Sequence, residues 1–286
     1  MDEMKTIKEY VNTGDGTAGT LLIPRVILPT LIDEAEKALI PRELAAMVLG
    51  PAQIAGPTAV FNLLNANTMD IRVVGEGAEI PMDEATFTST TVTPLKYGVA
   101  IRITREMMED SQFPMLEWNL KVAGRRFAEN ENSLILTCLD GVTSTVTGGA
   151  SLTVANIAEA VMDVEEYDYA ATDIVIGNEA LNDLRNIDVF IEAQKRGNAD
   201  FLSRNIVGSI FGMNVVRFST NAAPSSTYSK YAYVFDRSAT YCIAIKRDMS
   251  VENFILPTYD MQGSCLTQRI GVVLLRANAG TQIITS

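Results

Sequence analysis

Gly75-Glu76-Gly77-Ala78-Glu79-Ile80-Pro81 lies at the centre of residues 58–103, the stretch whose reading decides the fold. Val60-Phe61-Asn62-Leu63 and Asp70-Ile71-Arg72-Val73-Val74 precede it. Thr88-Ser89-Thr90-Thr91-Val92-Thr93 and Val99-Ala100-Ile101-Arg102-Ile103 follow it. Threonine and other β-branched residues dominate these flanks, which predicts strands. Residues 75–85 are acidic and turn-rich, with few large apolar groups, which predicts the tip joining two long strands. A two-stranded ribbon has no second layer to cover its apolar side chains and is marginally stable alone. It must lie on another surface, which already suggests assembly.

Downstream, Thr104 is a good N-cap, with Glu106 and Glu109 early in a short helix that ends before Pro114. Leu116, Leu120, Ala123, Phe127, Leu134, Ile135 and Cys138 then recur at helical spacing. They predict one long helix from Met115 to about Cys138, a rod of about 33 Å. Asp140-Gly141 and Gly148-Gly149 break the chain. Residues 152–256 read as a compact α/β unit. Thr153 caps a helix carrying Ile157, Ala160, Val161 and Val164, and Asn178 caps a second one holding Leu181 and Leu184. Asp173-Ile174-Val175-Ile176, Asn214-Val215-Val216-Arg217-Phe218, Tyr231-Ala232-Tyr233-Val234-Phe235 and Tyr241-Cys242-Ile243-Ala244-Ile245 read as its strands. The tail alternates apolar and polar residues.

Upstream, residues 1–57 read as an arm. Gly14, Gly16 and Gly19 formally match a dinucleotide-binding fingerprint, which has meaning only between a strand and a helix. Pro24 opposes such a helix, so a mobile arm is the better reading. Residues 29–39 predict a short amphipathic helix with Leu31, Ile32, Ala35 and Leu39 on one face.

Composition then narrows the chemistry. There is no histidine, which removes Ser-His-Asp and Cys-His nucleophiles, imidazole acid–base catalysis and His-bearing metal sites together. Cys138, Cys242 and Cys265 fit neither a disulfide framework nor a zinc pattern and read as buried free thiols. The acidic neighbours Asp33-Glu34, Asp83-Glu84, Glu109-Asp110 and Glu165-Glu166 read as solvated faces, because a catalytic pair converges from separate elements. Trp118, the only tryptophan, reads as a packing residue. With 35 acidic against 23 basic residues the net charge is -12, which disfavours tight binding to nucleic acid phosphates. No apolar run is long enough for a membrane helix and the first ten residues lack a signal-peptide core, so a cytoplasmic origin is expected. No catalytic, cofactor or metal site is expected.

In this order the elements resemble the major capsid proteins of tailed bacteriophages and their archaeal relatives. Gly75-Glu76-Gly77-Ala78-Glu79-Ile80-Pro81 resembles the family's loop tip. Ile103-Thr104-Arg105-Glu106-Met107-Met108-Glu109-Asp110-Ser111 is similar to its entry to the spine helix, and Ala128-Glu129-Asn130-Glu131-Asn132 to a stretch on that helix. Phe211-Gly212-Met213-Asn214-Val215-Val216 resembles an axial strand, with Met213-Asn214 in place of the usual proline. Arg269 and Arg276 fall where the final strands often carry arginines.

The resemblance implies an α+β, Hong Kong 97-like capsid fold. Its parts would be an N-terminal arm (1–57), an extended two-stranded E-loop (58–103) and a peripheral domain with the spine helix (104–150). An axial domain (151–256) and a return to the peripheral domain (257–286) would complete it. It implies a structural protein that self-assembles into pentamers and hexamers of an icosahedral shell around double-stranded DNA, in a virion assembled in the host cytoplasm. Subunit contacts are expected from Gly75, Glu76, Gly77, Glu79 and Pro81 at the loop tip and from Arg105, Glu106 and Glu109 at the start of the spine. A portal, a possible decoration protein and a scaffold protein separate from this chain are the expected partners. The competing expectations are an encapsulin shell holding cargo enzymes and an unrelated α+β enzyme. The family's type member joins a loop lysine to a neighbour's asparagine. No lysine lies between Lys37 and Lys96, so although Asn278 sits near the acceptor's position, shells without covalent cross-links are expected.

Overall fold

The computed structural model describes residues 40, 42–65, 71–80, 82–84, 86–110, 115–187, 206–218 and 225–285. The helix expected at 29–39, the rest of the arm before residue 40 and Pro81 lie outside the described residues. The frame is a four-stranded sheet in the order β1 (Met47–Leu49), β10 (Tyr241–Leu256), β11 (Met261–Leu274) and β4 (Leu95–Thr104). β10 and β11 form one long antiparallel hairpin. It turns through Pro257–Tyr259 and Asp260, whose left-handed backbone has φ 46°. The apolar run Tyr241 to Ile245 marks only the first part of β10. The strand instead runs on to Leu256, and register shifts after Ile245 and Arg247 absorb the change from a buried to an exposed environment.

A six-stranded sheet runs β5 (Ser144–Thr147), β12 (Gly280–Ile284), β9 (Tyr231–Phe235), β6 (Asp173–Ile176), β8 (Met213–Arg217) and β7 (Ile206–Ile210). Its central strands are buried on both faces, as the period of two along a strand requires when both sides are covered. Ala232, Val234, Ile174, Ile176 and Val215 enter a core closed by helices α3 (Val154–Glu165) and α4 (Asn178–Arg185). Tyr233, Phe235, Val175 and Val216 enter a second core on the opposite face, shared with the frame sheet. Phe211 (φ 49°) and Gly212 (φ 82°) make the two-residue turn between β7 and β8.

Three strands pair with partners outside the part in which the sequence places them. Leu95–Thr104, expected in the ribbon, pairs with β11, and Tyr241 to Ile245, expected in the axial unit, pairs with β11 and β1. Gly280–Ile284, expected to return to the peripheral part, joins β5 and β9 of the six-stranded sheet. All three are non-local pairings, which periodicity does not reveal. At α4 the N-cap is Gly177 rather than Asn178. The turn at Ser226–Lys230 passes so close that a Cβ on Gly177 would lie 2.4 Å from the Ser229 carbonyl oxygen, so only glycine fits. Thr153 does cap α3, in a reciprocal capping box with Asn156.

Helix α1 (Arg105–Asp110) starts where the Met107 amide donates to Thr104 Oγ1 at 3.3 Å. Helix α2 (Met115–Leu139) has 25 residues and is about 37 Å long. Leu120, Ala123 and Phe127 pack against Leu266 of β11, and Ile135, Leu136 and Leu139 enter the shared core. The chain leaving the arm is fixed to this helix. Arg42 forms a bidentate pair with buried Glu131 (Nε–Oε1 2.6 Å, Nη2–Oε2 2.8 Å), and the Ile40 amide donates to Asn132 Oδ1 at 2.8 Å. The Glu131 hydrogen bond raises the Arg42 pKa, against the opposing effect of burial.

Asp140, just past the helix, ties α2 to the six-stranded sheet. It accepts from the hydroxyls of Tyr228 and Tyr233 (the latter 2.5 Å) and from Gln282 Nε2 at 3.1 Å. Burial, and then the Asp140 carboxylate, push the Tyr233 pKa well above its ordinary value. The folded state therefore holds the Tyr233 proton more tightly than the unfolded chain, whose tyrosines titrate near pH 10. The stability this contributes is complete below about pH 10 and is lost as pH rises through the folded value. Tyr233→Phe should cost about 1.5–3 kcal/mol at pH 7, measured by urea unfolding of the unassembled protein. The penalty should shrink above about pH 10, because the variant has no proton to lose there.

Candidate functional site

The ribbon is β2 (Ala59–Asn65) paired antiparallel with β3 (Thr86–Val92), from Ala59 opposite Val92 to Asn65 opposite Thr86. Its root is covered: Val92 joins Ile54 and Ala244 in a small core on the frame sheet, with Ala59 and Phe61 packed against it. Its outer part is not. Residues 71–74, expected as strand, carry no ladder, and every described residue from 71 to 84 is exposed. Ile71 and Val73 are fully exposed and Met82 is 94% exposed, with Ile80 and Phe87 also in solvent. The expected tip residues form the turn itself. The Ala78 amide donates to the Gly75 carbonyl at 3.0 Å, and Gly77 takes φ 78°, a conformation that favours glycine. Glu76 and Glu79 project into solvent. Arg72 meets Asp83 across the loop at 3.6 Å.

Arg105, Glu106 and Glu109 are also exposed, on α1. Arg105 is bound to the tip of the β10–β11 hairpin: its amide donates to the Asp260 carbonyl at 3.0 Å and its Nε lies 3.2 Å from Asp260 Oδ1. Ile255, Leu256 and Tyr259 at that tip, and Met107 and Met108 on α1, are exposed as well.

Trp118, expected to pack, is 71% exposed, and Val122 one turn on is also in solvent. The helical period explains both: at about 100° per residue Trp118 points about 200° away from Leu120. Arg125 and Arg126 follow, both paired to Glu129 at 3.3 and 2.8 Å. The spine thus carries an outward stripe of Trp118, Val122 and two guanidiniums around one carboxylate. The sequence signal was present in the spacing but was outweighed by the general tendency of tryptophan to be covered.

No group of three or more Cys, Asp or Glu converges to hold a metal among the described residues. Buried acids are committed to structure: Asp173 takes a bidentate Arg237 (2.8 and 3.0 Å) and Asn214 Nδ2 (3.2 Å). Of the free thiols Cys242 is buried, whereas Cys138 and Cys265 are half-buried rather than buried. Burial pushes Cys138 up to about 12 and Cys242 up to about 11, so both stay protonated and unreactive near neutrality.

The phage capsid family model matches residues 19–280. Among solved structures the chain is similar to one from Microbacterium phage Oxtober96 (TM-score 0.65, 15% identity, 85% of this chain and 90% of that one). It is similar to the mature capsid of bacteriophage PhiM1 (TM-score 0.65, 11% identity, 87% of each chain). It also resembles a virus-like particle from Pyrococcus furiosus (TM-score 0.61, 10% identity, 91% of this chain and 99% of that one). No curated protein sequence matches the chain. With the frame sheet, spine, ribbon and six-stranded sheet all present, the fold is that of Hong Kong 97-like capsid proteins. The chain belongs to the phage capsid family and is a structural capsid protein.

Proposed function

We propose that this protein assembles through pentamers and hexamers into an icosahedral shell that encloses double-stranded DNA, and that the ribbon is its reaching element. The observation that carries the reading is the uncovered outer ribbon, with Ile71, Val73, Ile80, Met82 and Phe87 all in solvent. Burying five such side chains would contribute roughly 7–15 kcal/mol at about 1.5–3 kcal/mol each. That is comparable with the estimated cost of immobilising one protein on another, about 4–15 kcal/mol, so the ribbon needs further contacts to hold. The Trp118–Val122 stripe, the hairpin tip and α1 supply apolar surface for these, and heterologous contacts of this kind close into rings. The loop-tip residues Gly75, Glu76, Gly77, Glu79 and Pro81, with Arg105, Glu106 and Glu109, are the proposed subunit contacts. A net charge of -12 supports a shell that encloses DNA without gripping it. The portal, scaffold and decoration proteins implied by the resemblance belong to the same reading, as does assembly in the host cytoplasm.

A second reading is favoured by the likeness to the Pyrococcus furiosus virus-like particle: the same architecture enclosing protein cargo. Particle contents separate the two. Nuclease-protected DNA supports the first, and a stoichiometric second protein without DNA supports the other.

Deleting residues 75–85 should leave the two sheets folded, with unchanged circular dichroism and urea midpoint, while closed particles disappear by electron microscopy. Normal particle yield from that deletion would contradict the role given to the ribbon. Lys96 lies on β4, within the frame rather than the ribbon. Boiled particles on a denaturing gel should therefore give one band near 31.1 kDa, and a reductant-resistant ladder would contradict assembly without cross-links.

A further inference from the structure

Three basic side chains from the frame end on carbonyl oxygens of the ribbon and its two roots. Lys246 Nζ donates to the Gly56 carbonyl, just before β2. Arg269 Nη2 donates to the Pro94 carbonyl at the bend between β3 and β4, at 3.4 Å. Arg276, between β11 and β12, donates Nη2 to the Leu64 carbonyl of β2 at 3.2 Å and Nη1 to the Tyr169 hydroxyl at 3.1 Å. None of the three cations forms an ion pair among the described residues. Their charge is directed at main-chain dipoles.

Leu64 is the telling position. The apolar cover of the ribbon stops at its root, around Ala59, Phe61 and Val92. Leu64 lies five residues beyond Ala59, about 17 Å further along the strand. A two-stranded ribbon leaves outward-facing carbonyls on both edges, and a guanidinium is a strong donor to one of them. There Arg276, braced on Tyr169, reaches the strand beside Leu64, whose own side chain is exposed.

We propose that Arg276 is a strut, seconded by Lys246 and Arg269 at the roots, that sets the angle at which the ribbon leaves the body. Its consequence, the choice of which neighbour the ribbon meets, rests on the shell reading above. The positioning itself does not. The contact is to a backbone carbonyl, so the strut reads ribbon position and not the side chain it carries. All three arginine and lysine residues are positioning residues for assembly.

The test is amide hydrogen exchange, followed by mass spectrometry, on the full-length unassembled chain. Arg276→Met keeps an unbranched aliphatic stem and removes the guanidinium that makes both contacts. Exchange in the 59–65 and 86–92 peptides should rise about tenfold, because an unbraced two-stranded ribbon frays. Peptides from β9 and β12 should be unchanged. Arg276→Lys, which keeps one cationic donor, should restore much of the protection. Lys246→Met should accelerate the same peptides through the other root and serves if Arg276→Met fails to fold. Ribbon exchange equal to that of the unaltered chain would overturn the proposal, as would equal acceleration of ribbon and sheets. Particle formation is scored separately. Absence of particles from the unaltered chain, together with the ribbon-selective change in Arg276→Met, would overturn the shell reading and leave the strut standing.

Discussion

A pair of β-strands has two faces and no interior, and β2–β3 with its extension to residues 71–84 carries apolar side chains that stand exposed, Ile71, Val73 and Met82 above all. The ribbon's root is seated on the frame sheet through Ile54, Val92 and Ala244. Its charge is acidic toward the tip, at Glu76, Glu79, Asp83 and Glu84, which opposes indiscriminate edge-to-edge pairing. Its turn needs Gly77 at φ 78°. These features suit a ribbon that stays in solution until a matching surface arrives.

The body supplies the rigidity that such a reach demands. The six-stranded sheet is buried on both faces, so its position is set from two sides: by α3 and α4 on one, and by the end of α2 and the frame sheet on the other. Asp140 joins these parts by hydrogen bonds from Tyr228, Tyr233 and Gln282, and Arg42–Glu131 ties the end of the arm to the same helix. Truncating one member of a buried charged pair leaves the other charge without compensation and is strongly destabilising. The junctions therefore favour one arrangement of spine and sheets, against which the ribbon and hairpin tip are held at fixed distances.

The legible part of the fold was what local pattern can carry. Leu120, Ala123 and Phe127 at helical spacing gave the spine, Thr153 gave the start of α3, and the β-branched runs gave β6, β8 and β9 of the six-stranded sheet. The order of these elements with Gly75 to Pro81 and Ile103 to Ser111 carried the family. What stayed hidden was decided by distant partners. The register of β4 against β11, the continuation of β10 past its bulge and the joining of β12 to β5 and β9 leave no periodic trace. Gly177 became the cap of α4 because of a turn some fifty residues away. Trp118 was misjudged for a different reason: its angle on the helix pointed outward, and residue type was given more weight than phase. The Arg276 strut combines an arginine the sequence singled out with a carbonyl that no sequence pattern marks.

The central claim is that the uncovered ribbon and spine stripe are buried by other copies of the same chain. Hydroxyl-radical footprinting reads this directly, because methionine and tryptophan oxidise in proportion to exposure. Met82 and Trp118 are compared between dissociated subunits and closed particles of the unaltered protein. The account predicts that both react readily in the subunit and that Met82 becomes strongly protected in the particle, with Trp118 protected beside it. Equal oxidation of Met82 in the two states would contradict it, because the ribbon would then remain in solvent within the assembled shell.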